Sequence, residues 1–239
     1  DEATSRFETA LEKYEQCGDL RGQAHALAML GYLDEQHHEH DRALERHSAA
    51  VEILRTIGHL NGLAHELNNL GAIKQHLGMF DEAIADHVAA YEIAEEQENS
   101  VAAARALTNI GDAHRLAGRL PEARRHHRLA AEAARGVDDT DLRAQLVLHQ
   151  AATAGDGGDQ PAALRLYEEL LDLATGTGNR AYRSRGEVGV ARTMHALGRH
   201  SDAVAHWRAA EAVFTELGQP EADQVRAERA ALACACGQR

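Results

Sequence analysis

This sequence has little that could carry covalent or membrane chemistry. Its 239 residues include three cysteines and three prolines, and aromatic residues make up only 4% of the chain. Cys17, Cys234 and Cys236 form no disulfide framework, and Cys234 and Cys236 diverge on one expected helix, so they are not a chelating pair. That usage fits a reducing, cytoplasmic setting. No apolar run approaches the roughly eighteen residues of a membrane span, and no secretory leader is visible. Lysine appears only as Lys13 and Lys74 among 25 basic residues, set against 38 acidic ones. The net charge of −13 argues against non-specific nucleic-acid binding. The chain has no glycine-rich phosphate loop, no nucleophile elbow and no His-Glu-x-x-His. Glu95-Glu96 and Glu168-Glu169 are adjacent pairs, unsuited to acid and base roles on one bond. Neither a catalytic residue nor a cofactor is expected.

What the chain does have is a period of forty residues without a gap. Gly31, Gly71 and Gly111 are in register, as are Gly78, Gly118, Gly158 and Gly198, with His38 the exception. Ala43, Ala83, Ala123, Ala163 and Ala203 recur at one position, and Ala3 extends the series backwards. A fixed period of this length is the mark of a repeat array. Each period holds two helical patterns. In the second, Leu63, Leu67, Leu70, Ile73 and Leu77 share one face of a helix A over about 61–77. Ala83, Ile84, His87, Val88, Tyr91 and Ala94 make the stripe of a helix B over about 80–96. Gly78 separates the two, and Asp81 favours the start of helix B through the macrodipole. So short a turn makes them antiparallel neighbours. Gly71 and Ala83 are small enough for close crossing.

The motif Leu67-x-x-Leu70-Gly71 followed by Ala83 and an aromatic position resembles the tetratricopeptide repeat. Leu27, Leu67 and Leu107 replace the usual first aromatic, Asp34, Lys74 and His114 stand where a tyrosine is usual, and the closing proline is missing. The forty-residue form is similar to the partner-of-Inscuteable spindle-orientation adaptors. It is also similar to the carboxy-terminal arrays of actinobacterial antibiotic-regulatory transcriptional activators and NTPase regulators. The resemblance implies an all-α, right-handed superhelix of antiparallel helix pairs. The expected layout is one array over 1–239, opening on a lone helix B at 1–23. Five repeats follow at 24–63, 64–103, 104–143, 144–183 and 184–222, then a capping helix at 223–239 with Arg226, Glu228 and Arg229 on a polar side. The opening helix, lacking its partner, implies repeats upstream and offers Phe7 and Tyr14 as a face for a homodimer. The glycine-rich turns at 155–158 and 175–178 read as a hinge or as ordinary loop drift.

The resemblance further implies that helix A lines a concave groove for an extended peptide. Carried onto this chain, the groove positions hold Asn69, Asn109, His65, Arg105, Asp112, Arg115, His149, Arg185 and Arg192, with Tyr32 and Glu35 among those of the first repeat. Asparagine is a mediocre helix former, so its repetition at 69 and 109 asks for a reason. Either both clamp a peptide backbone, donating and accepting at once, or both link neighbouring repeats. Arg105 and Arg115 can pair with a carboxylate, and with Arg185 and Arg192 they favour an acidic partner segment. Two functions stay open: a free-standing peptide- or protein-binding module, and a regulatory domain working on other domains of the same polypeptide.

Sixteen histidines suggest metal, but their placement does not. His47, His87 and His127 share the position of Phe7, Tyr167 and Trp207, so they are expected as buried, neutral ring substitutes whose stability contribution falls with pH. His37, His38 and His40 cluster in a turn without the spacing of a structural zinc site.

Overall fold

The computed structural model describes the backbone of residues 2–237 and the side chains of residues 2–231. The described residues form helices joined by short turns: α1 (Glu2–Cys17), α2 (Leu20–Gln36), α3 (His40–Thr56), α4 (Leu60–His76), α5 (Phe80–Glu96), α6 (Ser100–Leu116), α7 (Leu120–Ala133), α8 (Thr140–Asp156), α9 (Gln160–Thr177), α10 (Arg180–Ala196), α11 (His200–Glu216) and α12 (Glu221–Gly237). The even-numbered helices from α2 are the A helices. The chain divides into two compact units, 1–137 and 138–239. In the first, α2 pairs with α3, α4 with α5 and α6 with α7, and α4 also touches α6. In the second, α8 pairs with α9 and α10 with α11, and α8 also touches α10. Each unit is an all-α stack of antiparallel helix pairs.

Two repeating devices set the helix lengths. At the start of each A helix from α2 to α10, a side chain accepts from the backbone N–H three residues on: Asp19, His59, Asn99, Asp139 and Asn179. Such caps satisfy donors that the first helical turn leaves open. At the end of most helices a residue in the left-handed region reverses the chain, as in Gly58, Gly78, Gly118 and Gly178. Where that slot falls at 138 the residue is aspartate; glycine stands at 136 instead, with φ 83°. The reversal therefore comes early and α7 stops at 14 residues, where the other helices run 16 to 18. The boundary between the compact units follows directly, rather than falling in the glycine turns of the fourth repeat.

Two slots are filled without glycine, by His38 (φ 59°) and Glu98 (φ 51°). A side chain in this region costs about 1–2 kcal/mol, partly offset by glycine's greater entropy when unfolded. Glu98→Gly is expected to stabilise the first unit by about 0.5–1 kcal/mol, read as a higher denaturant midpoint at unchanged slope.

The core is thin and built on alanine. Ala43, Ala83, Ala123, Ala163 and Ala203 are each 0% exposed. The A and B helices meet at these positions, and the larger apolar residues pack either side of them. The end of the second unit is held by charge as well as by Ala222 and Val225. Arg192 of α10 forks onto Glu228 at 3.0 and 2.6 Å, and Arg226 and Arg229 reach Glu211 of α11 at 2.9 and 3.0 Å. The polar side expected of the last helix is thus turned back, in part, onto its neighbours. The side chains of Cys234 and Cys236 lie outside the described residues.

Candidate functional site

The glycines of the A helices face the histidines of the B helices. A Cβ on Gly31 would lie 2.5 Å from the ring of His47, one on Gly71 2.5 Å from His87, and one on Gly111 2.3 Å from His127. The imidazole occupies the space that the missing side chain leaves. Gly71 therefore does more than let two helices cross closely, since it seats a ring.

All three histidines are buried, but their surroundings differ. His47 Nδ1 lies 2.7 Å from Glu66 Oε2, and Nε2 lies 3.2 Å from Glu35 Oε1. Burial alone would push its pKa down, but the contacts with Glu35 and Glu66 outweigh that and raise it to about 9. The expectation of a neutral His47 is corrected: it is an imidazolium between two carboxylates. His87 instead faces Asn68 Oδ1 at 3.0 Å and Gln75 Oε1 at 3.3 Å. Carboxamides offer both donor and acceptor but no charge, so burial prevails and lowers its pKa to about 4. His87 is neutral, as expected. Two exchanges between equivalent repeat positions remove the charge: Gln75 stands where the first repeat has Glu35, and Ala106 where the second has Glu66.

A second pair of positions, twelve residues apart, joins helices A and B within each of the three hairpins of the first unit. In the first repeat it is Asp34 with Arg46 at 3.0 Å, and in the second Lys74 with Asp86 at 2.5 Å, polarity reversed. In the third it is His114 stacked on His126, ring centres 5.3 Å apart and planes 18° from parallel. Burial first, then Arg119, lowers the His114 pKa; burial, then His114 and Arg125, lowers that of His126. Glu122 and Asp81 act the other way on His114 without prevailing. With folded pKa values depressed, the pair's stabilisation is present above about pH 6.5 and is lost as pH falls. The double variant His114→Asp, His126→Arg, which installs the first repeat's pair, is expected to remove that acid sensitivity. Thermal midpoints at pH 7 and pH 5 measure it.

On the A-helix face of the first unit lies a cavity of about 780 Å³ between α2, α3 and α4. Arg21, His25, Met29, Tyr32 and Glu35 of α2 line it, with His47 of α3 and His65, Glu66 and Asn69 of α4. Glu66 is 6% exposed and forms its floor. Burial would raise the Glu66 pKa, but hydrogen bonds from His47 and His65 lower it to about 2. The hydrogen bond to Glu66 in turn raises that of His65, against burial. A second cavity, of about 320 Å³, opens on the other side of His65 and is lined by Asn61, Asn68, Asn99 and Arg105.

The groove residues expected from the sequence divide accordingly. Asn69 and His65 line the first cavity, and Arg105 and His65 the second. Asn69 donates to Glu66 Oε1 at 3.3 Å. Asn109 donates to Asn68 of the preceding A helix at 3.3 Å, a link between neighbouring repeats. Arg115 donates to Asp112 one turn away at 2.8 Å. His149, Arg185 and Arg192 belong to the second unit, where Arg192 ties α10 to α12. Tyr32 and Glu35, groove positions of the first repeat, line the first cavity, whereas Glu66 was not among the expected groove residues. Glu66 was legible, since it interrupts a position otherwise held by Ala26, Ala106, Leu146 and Gly186. Among the described residues no group of three or more His, Cys, Asp or Glu side chains is placed to hold a metal ion. None of the described helices is long and apolar enough to cross a membrane.

Comparison with known proteins finds a repeat family and a shared fold. Residues 63–136 match the tetratricopeptide repeat family model. No curated protein sequence matches the chain. Among solved structures, BtubC from P. vanneervenii is similar at 14% identity with a TM-score of 0.71, covering 91% of each chain. The Rap conjugation gene regulator of plasmid pLS20, in complex with the Phr peptide, superposes with a TM-score of 0.77 at 14% identity, over 91% of this chain and 60% of that one. A STAND ATPase with a tetratricopeptide repeat sensor from Pyrococcus horikoshii gives 0.67 at 15% identity, over 94% and 32%. At such identities the likeness is one of fold, and the chain spans only part of the last two proteins. Residues 63–136 thus carry the tetratricopeptide repeat pattern.

Proposed function

We propose that this chain is a non-catalytic recognition module whose A-helix face holds an extended peptide or protein segment. The observation that carries this reading is the pair of cavities flanking His65, lined by side chains that both donate and accept. Asn69 and Arg105 contact the partner, and Asn109 holds Asn68 in place beside them. The Rap regulator, with its bound Phr peptide, is a similarly folded example, and in the STAND ATPase a tetratricopeptide repeat array of this fold is a sensor. A second reading, in which the module serves other domains of its own polypeptide, is supported by the second of these, where the matching region is about a third of a longer chain.

A pull-down from the source organism's lysate tests the first reading, comparing the parent chain with an Asn69→Ala, Asn109→Ala double variant that folds by circular dichroism. A protein captured by the parent and lost by the variant is the expected result. Equal capture by both would place recognition elsewhere.

A further inference from the structure

We propose that the cavity between α2, α3 and α4 receives a short free peptide, extended along α2, with its terminal ammonium at Glu35 and its terminal carboxylate at Arg21. The proposal rests on the groove reading above and specifies its ligand.

The lining residues of α2 recur at three- and four-residue steps from Arg21 to Glu35, so they form one stripe along the helix. At a rise of about 1.5 Å per residue the stripe is about 21 Å long, which an extended chain of about six residues spans. The volume of about 780 Å³ lies within the usual range for small-ligand sites.

The charges of the cavity are segregated by end. Arg21, His25 and His59 line one end. Asp19, next along the chain, is occupied in capping the Gly22 N–H at 3.0 Å. At the other end two carboxylates, Glu35 and Glu66, flank His47, and His65 also reaches Glu66 at 3.1 Å. Carboxylates thus lie at that end, and the Arg21 guanidinium, 3.0 Å from His59 Nε2, lies at the other. The macrodipole of α2 runs in the same sense, positive towards Arg21 and negative towards Glu35. A cavity polarised end to end complements a zwitterion, and a short unmodified peptide is one.

Two further features suit the ammonium end. Tyr32 lines the cavity one turn from Glu35 and is 52% exposed, in a chain where aromatic residues are only 4%. A ring face beside a carboxylate is a favourable place for a cation. Glu66 stands where the other repeats carry small or apolar residues, and such a breach of the local pattern is expected at functional sites. By holding His47, which holds Glu35, it fixes the ammonium-binding carboxylate before the ligand arrives.

The test uses the full chain and a synthetic library of tetra- to hexapeptides with free termini. It is run beside the same library N-acetylated, or C-amidated, with retained peptides read by mass spectrometry. The expected result is at least tenfold weaker retention on capping either end. Glu35→Gln should abolish the sensitivity to acetylation, and Arg21→Gln the sensitivity to amidation, with folding checked by circular dichroism. Equal retention of capped and free peptides would overturn this proposal and leave the groove reading standing. Retention of neither would overturn both. Sensitivity to capping that persists in Glu35→Gln and Arg21→Gln would place the termini elsewhere and overturn the assignment.

Discussion

Glu66→Ala is expected to cost the first unit about 3–5 kcal/mol at pH 7, because it leaves a buried imidazolium with half of its counter-charge. The pH dependence should change with it. His47 has a folded pKa of about 9, above its ordinary 6.5. Its stabilisation, roughly 3 kcal/mol by linkage, is present in full below about pH 6.5 and is lost as pH rises towards 9. Glu66, with a folded pKa of about 2 against an ordinary 4.5, adds stability above pH 4.5 that is lost as pH falls. His87 runs opposite to His47: its folded pKa of about 4 makes its stabilisation complete above about 6.5 and lost as pH falls towards 4. The first unit should therefore be most stable near pH 6.5. Denaturant titrations at pH 5, 7 and 9 measure this. In Glu66→Ala the loss between pH 7 and pH 9 should flatten. An unchanged slope between those two values would show that His47 does not draw its charge from Glu66.

Gly71→Ala is expected to destabilise the same unit by about 1–3 kcal/mol, although alanine is the better helix former. The added methyl would lie 2.5 Å from the His87 ring. That ring is 0% exposed and held by Asn68 and Gln75, so it cannot swing aside cheaply. His87→Ala removes the clash but opens a cavity, so the two substitutions should couple. The double variant should be more stable than the sum of the single losses predicts, by about 1 kcal/mol or more. Strict additivity in a double-mutant cycle would mean that glycine is required at 71 for some other reason.

The architecture was legible in the sequence because the repeat writes it several times over. The alanine series marked the positions where helices meet, and the predicted span of about 61–77 for one A helix lies one residue from the observed Leu60–His76. The link between Gly71 and His87 was legible too, as a sixteen-residue spacing repeated at Gly31 and His47 and at Gly111 and His127. The charge state of His47 was not. It depends on Glu66, nineteen residues away on the next hairpin, and on Glu35, twelve residues back, and no single repeat contains all three. Periodicity places a residue on a face, but only packing brings particular polar atoms within hydrogen-bonding distance. The site showed the same division. Tyr32, Glu35, His65, Asn69 and Arg105 were placed on the helix A face by repeat position, whereas the part of Glu66, and the one space that α2 and α4 enclose, came only from the packing.

The most direct test of the recognition face is photo-crosslinking to a captured partner. The crosslinking residue is placed at His65, between the two cavities, or at Glu52, an exposed position on α3. Crosslinks from position 65 and none from 52 are predicted. Crosslinks from 52 alone would put recognition on the outer helices and contradict the account.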